Sequence, residues 1–142
     1  MEDPKEKYCW NYVDIGVRNK APVIQVEIII GSKSYSFNFM VDTGYDGCLL
    51  IPYTIYKQLG LEKFELPKDE WSVGETVSGE IFPLASALCK IKVADMIFEC
   101  VIETFEDNSD FLVGLDFLQK FNTVLQGPKQ KICLLKYEET VT

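Results

Sequence analysis

The stretch Phe39-Met-Val-Asp-Thr-Gly-Tyr-Asp-Gly-Cys-Leu-Leu-Ile-Pro52 decides the reading of this chain. Asp42-Thr43-Gly44 sits between two apolar runs. An apolar strand that ends in Asp-Thr-Gly and resumes as Cys48-Leu-Leu-Ile51 holds a carboxylate at a turn whose backbone is fixed on both sides. A chain presents a catalytic aspartate in that way. The three residues alone also fit an ordinary turn that Asp initiates and in which Gly takes a positive φ.

Upstream, Val23 to Val41 reads as a β-hairpin turning at Gly31-Ser32-Lys33-Ser34. That turn pairs Ile30 with Tyr35, Ile28 with Phe37, Val26 with Phe39 and Ile24 with Val41. All eight then share one face, because side chains alternate along a strand. Gln25, Glu27, Ser36 and Asn38 take the other face, and the second strand runs directly into Asp42.

Downstream, Pro52 ends the short strand, and Thr54 is placed to cap a helix over Ile55 to Leu59 that Gly60 stops. Trp71–Val77 and Glu80–Leu88 form a second hairpin in which Gly74 and Gly79 permit turns. Cys89 to Cys100 is a third hairpin around Ala94-Asp95, pairing Cys89 with Cys100, Lys90 with Glu99, Ile91 with Phe98 and Val93 with Met96. A two-residue turn and a four-residue loop both fit that register. Phe111-Leu-Val-Gly-Leu115 is a further strand with a glycine inside, followed by a short helix over Asp116 to Phe121. Val124–Gln126 and Lys131–Tyr137 make a last hairpin. Short hairpins with one or two tiny helices indicate a mostly β, barrel-like domain. Residues 1–20 read as an arm or an extra strand ahead of a single domain at 21–142.

Composition narrows the chemistry. There is no histidine, which removes Ser-His-Asp and Cys-His nucleophiles and His-ligated zinc. Carboxylates remain as the acid–base groups, and no metal or other cofactor is expected. A net charge of −8 with a single Arg argues against nucleic acid. No run reaches the ~18 apolar residues of a membrane span. The first seven residues are charged and do not read as a secretory signal. The five cysteines form no Cys-x-x-Cys, and reduced, buried thiols in a cytoplasmic protein are the expectation.

Taken together, the apolar strand, the Asp-Thr-Gly, Leu49-Leu-Ile-Pro52 and the later Phe111-Leu-Val-Gly-Leu-Asp-Phe-Leu118 resemble the two hallmark segments of retropepsin-like aspartic proteases. The variant is most similar to single-domain bacterial and archaeal members. The resemblance spans Val23 to Leu135 and implies a retropepsin-like closed β-barrel. It implies that Asp42 is the catalytic carboxylate, that Thr43 hydrogen-bonds across to a partner subunit's loop, and that Gly44 lies beside substrate. Tyr45, Asp46, Gly74 and Gly79 become the candidate substrate contacts. Gly114 would let its strand pass closely behind the catalytic loop. Retroviral members often place Arg after that glycine, paired with the aspartate four residues beyond the catalytic one. Here those places hold Leu115 and Asp46.

The activity implied is peptide-bond hydrolysis by two carboxylates sharing one proton. Like charges about 3 Å apart cannot both ionise, an effect for which aspartic proteases are the familiar instance. One Asp-Thr-Gly per chain then requires a homodimer, with Asp42 meeting its counterpart on the two-fold axis. The partners expected are a second copy and a peptide or protein substrate. The competing reading is a non-catalytic dimeric domain of the same fold, used for binding or assembly.

Overall fold

The computed structural model describes residues 8–136. Strands β2 (Val23–Ile30) and β3 (Lys33–Val41) form the first hairpin. Its turn is two residues, Gly31-Ser32, so Ile30 faces Lys33, Ile28 faces Tyr35, Val26 faces Phe37 and Ile24 faces Phe39. This corrects the expected register by two residues. Gly31, at φ 62°, supplies the left-handed conformation a two-residue loop needs. A shift of two keeps every side chain on its face. Ile24, Val26, Ile28 and Phe39 are accordingly fully buried.

The other long hairpin joins β7 (Ala85–Val93) to β8 (Met96–Thr104), with Cys89 opposite Cys100, Lys90 opposite Glu99 and Val93 opposite Met96. The register is the expected one, closed by the two-residue turn with Ala94 at φ 55°. The hairpin is longer than expected, because Ala85–Leu88 belongs to β7. The preceding hairpin shrinks to β5 (Val73–Glu75) and β6 (Ile81–Pro83).

Two short strands close the barrel. β4 (Leu49–Leu50) runs parallel to β8, and β9 (Leu112–Val113) runs parallel to β3 and antiparallel to β4. The order is β2-β3-β9-β4-β8-β7, with β7 returning to β2. Leu49 and Leu50 of β4 and Val113 of β9 are buried, as residues covered on two sides should be, while Leu112 is half-buried.

Helix α1 covers Tyr53–Gln58 and α2 covers Leu115–Leu118. Neither matches its expected bounds. Pro52, at φ −57°, precedes the first turn of α1, so Thr54 falls inside the helix and no side chain caps it. Gly60, at φ 68°, does follow its end. Single 3-10 turns occupy Leu61–Phe64 and Lys68–Glu70. Among the described residues, no helix is long and apolar enough to cross a membrane.

A separate three-stranded sheet holds β1 (Cys9–Asn11), β11 (Lys131–Lys136) and β10 (Phe121–Gln126), with β11 central. Part of the expected arm is thus a strand. Tyr137, expected at the end of β11, lies outside the described residues. Cys9 and Cys133 are direct cross-strand neighbours and form a disulfide. The expectation of five reduced thiols is therefore corrected for this pair. Cys48, Cys89 and Cys100 are free and buried.

Candidate active site

Strand β3 delivers Asp42 to the end of the barrel. The Asp42 N–H donates to the carbonyl of Val113 at 3.0 Å, one residue beyond the last β3–β9 pair. The chain then turns. The Tyr45 N–H donates to the Asp42 carbonyl at 3.1 Å, and the Gly44 N–H donates to the Asp42 carboxylate Oδ1 at 2.9 Å. Asp42 is half-buried, while Thr43 and Gly44 stand exposed at the tip. The carboxylate is thus held by a backbone donor on its own loop, with its main chain anchored to a neighbouring strand.

The second apolar segment braces the loop from behind. Gly114 N–H donates to the Cys48 carbonyl at 3.0 Å, Leu115 N–H to Tyr45 at 2.9 Å and Asp116 N–H to Gly47 at 3.1 Å. A Cβ at Gly114 would overlap the carbonyl oxygens of Gly47 and Tyr45 and come within 2.6 Å of the Tyr45 ring. Glycine is required here by space, since its φ of −110° is open to any residue.

Tyr45 turns its hydroxyl inward. It donates a short hydrogen bond to Glu103 Oε1 and lies 3.3 Å from the Leu49 carbonyl. Burial first, and then the Glu103 charge, push the phenol well above its ordinary pKa. Glu103 is 2% exposed, on β8 beside Leu50 of β4 and Ser86 of β7. A hydrogen bond to a charged group is worth about 1.5–3 kcal/mol. Sequence reading missed Glu103. The only signal was a carboxylate closing the apolar run Cys100-Val-Ile, where a solvated strand end is the simpler reading.

An open cavity of about 780 Å³ lies between this loop, the β5–β6 hairpin and the Phe105–Leu112 segment. Gly44, Tyr45, Asp46 and Gly74 all line it, so four of the candidate residues meet at one cavity. Its apolar wall includes Val73, Phe82, Leu84 and Phe105, with Phe82 and Phe105 rings 4.9 Å apart. Gly74 sits inside β5 and makes no turn, because its missing side chain admits the Phe82 ring. Gly79, at φ 89°, stands at the hairpin tip and does not line the cavity. Asn108 shapes the far wall, donating to the carbonyls of Ile51 at 2.6 Å and Asp110 at 3.1 Å. Among the described residues, no group of three or more ligating side chains is placed to hold a metal ion.

Neither a protein-family model nor a curated protein matches the chain in sequence. Solved structures do match. A retropepsin-like aspartic protease from Rickettsia conorii aligns over 79% of this chain and 80% of its own, with TM-score 0.54 and 18% identity. The fold is retropepsin-like. The retroviral protease-like domain of Ddi1 from Leishmania major also aligns, over 84% of this chain and 93% of its own, with TM-score 0.55 and 12% identity. In this retropepsin-like frame the Asp42 loop and the Gly114 segment lie against each other, as the two sequence hallmarks implied. Leu115 spends its N–H on the loop carbonyl and offers Asp46 no cation, and Asp46 is exposed at the cavity.

Proposed function

We propose that this chain is an aspartic endopeptidase in which Asp42 and the Asp42 of a second copy share one proton and hydrolyse a peptide bond. The observation that carries this reading is the Asp42 carboxylate. It is anchored through β9 and through the Gly44 N–H, on a loop that borders an open cavity large enough for peptide side chains. The ionised carboxylate takes a proton from the attacking water. The protonated one gives its proton to the carbonyl oxygen. On collapse of the tetrahedral gem-diol the first carboxylate passes its proton to the leaving nitrogen, and the second takes one back from a diol hydroxyl, which releases amine and acid. Exposed Val73, Val77 and Ile81 on the β5–β6 hairpin suit a flap that closes over substrate and excludes water. Tyr45, Asp46 and Gly74 are the proposed substrate contacts in the cavity, with Gly79 at the flap tip.

The homodimer follows from the need for two carboxylates. β11 is paired on both sides over Lys131–Cys133, so a partner strand would meet the terminal sheet at β1 or β10.

The test is hydrolysis of an unfolded protein at mildly acid pH. Turnover blocked by a statine-type inhibitor, lost in Asp42→Asn and falling on dilution below the dimer Kd is the expected result. Wild-type turnover in Asp42→Asn refutes the assignment. A folded, dimeric wild-type chain that cleaves nothing would point to the non-catalytic binding or assembly domain.

A further inference from the structure

We infer that Tyr45 and Glu103 are positioning residues, whose buried hydrogen bond holds the Asp42 loop in the geometry a carboxylate dyad needs. The inference rests on the endopeptidase reading for its kinetic consequence, though not for its structural one.

Glu103 sits on the barrel wall at 2% exposure, where a carboxylate is costly without donors. Two hydroxyls approach it. The Ser86 hydroxyl lies 3.4 Å from Oε2 but only 2.8 Å from the Leu84 carbonyl, and its single proton serves the nearer acceptor. Tyr45 is therefore the donor that stabilises the buried charge among the described residues. Burial raises the phenol further above its ordinary value, so the proton is on Tyr45 at neutral and acid pH.

Tyr45 transmits this anchoring to the loop through both of its backbone groups. Its N–H holds the Asp42 carbonyl, and its C=O receives the Leu115 N–H. The ring end is tied to β8, so three contacts on one residue join barrel wall, Asp42 loop and α2. Gly47 makes room for the bond, since a Cβ there would overlap both Glu103 Oε1 and the Tyr45 hydroxyl. Among the described residues no cation takes part. A tyrosine–carboxylate bond inside the barrel does here what an ion pair on the loop's surface could do elsewhere.

Two carboxylates must meet at about 3 Å across the axis to share a proton. A displacement of ~1 Å can cost about 100-fold in rate. Tyr45→Phe in the full chain should lower kcat about 10- to 100-fold with KM within about two-fold. It should also narrow the bell-shaped pH profile, because carboxylates held further apart couple less and their two apparent pKa values converge. Glu103→Gln still accepts from Tyr45 and should keep most activity, whereas Glu103→Leu should behave like Tyr45→Phe. Tyr45→Phe/Glu103→Leu should be no slower than either single variant. Amide exchange gives a readout independent of activity. Leu115 and Asp116 N–H groups should exchange faster in Tyr45→Phe, while Ile24 and Ile28 do not change. If Tyr45→Phe does not fold, the Glu103→Gln and Glu103→Leu pair makes the same comparison. Unchanged exchange at Leu115 and Asp116 overturns the inference, as does equal loss in Glu103→Gln and Glu103→Leu. A wild-type chain with no peptidase activity overturns the endopeptidase reading alone, and the exchange measurement then decides the positioning role.

Discussion

Replacing Gly114 by Ala adds one methyl group where three backbone hydrogen bonds converge. Its φ of −110° and ψ of −170° suit alanine, so no conformational penalty arises from the backbone itself. The cost comes from space. The new Cβ would overlap two carbonyl oxygens, and backbone cannot move aside as a flexible side chain can. Overpacking of this kind costs about 1–3 kcal/mol. Relief requires the loop to retreat, which stretches the bonds from Gly114, Leu115 and Asp116 to the loop carbonyls. Each contributes about 1 kcal/mol net. With the three bonds stretched rather than broken, about 1–2 kcal/mol of their combined contribution is lost, and the sum is roughly 2–5 kcal/mol. Urea denaturation reads it directly: with m near ~2 kcal/mol/M, the midpoint should fall by roughly 1–2.5 M. Gly127→Ala is the control, because a Cβ there meets nothing within 4 Å. It should change stability by no more than ~0.5 kcal/mol. A Gly114→Ala midpoint equal to that of Gly127→Ala would refute the packing argument.

Two further outcomes follow from groups elsewhere. Tyr45 and Tyr56 both have phenols raised by burial first, then respectively by the Glu103 charge and by a hydrogen bond to Glu65. A raised folded-state pKa gives stability that is complete below the unfolded phenol value of ~10 and lost as pH climbs past it. Urea midpoints should therefore decline above pH ~10, and the decline should flatten in Tyr56→Phe; an equally steep decline in that variant would count against this origin. The Cys9–Cys133 disulfide closes a loop with a sequence separation of 124 residues. Reduction, or Cys133→Ser, should cost about 2–4 kcal/mol, and identical unfolding curves with and without reductant would show that the bond contributes nothing.

Much of the fold was legible because its hairpins are local. Cys89 to Cys100 could be registered from sequence, since only one pairing sets Lys90 against Glu99 and keeps Ile91, Phe98 and Val93 together. The first hairpin was misplaced by two residues because Ser32-Lys33-Ser34 all fit a turn, and the apolar pattern is blind to a shift of two. The short strands β4 and β9 owe their pairing to the barrel. Nothing in Leu49-Leu50 announces that it lies parallel to Ile102-Glu103. The turn at Asp42 and the close approach at Gly114 could be read because backbone constraints select rare residue patterns. Glu103 could not, because its significance depends on a tyrosine 58 positions away. The disulfide escaped for the same reason: β1 and β11 meet only in three dimensions, and five cysteines leave many pairings open.

The Cys9–Cys133 bond has a topological consequence. It converts the polypeptide between these two residues into a covalent ring that contains the Asp42 loop and the β5–β6 hairpin. A single scission anywhere in that ring opens it without separating the pieces. A protease that clipped its own exposed hairpin near Val77 would therefore yield a nicked molecule of undiminished mass, running as one band without reductant and as two with it.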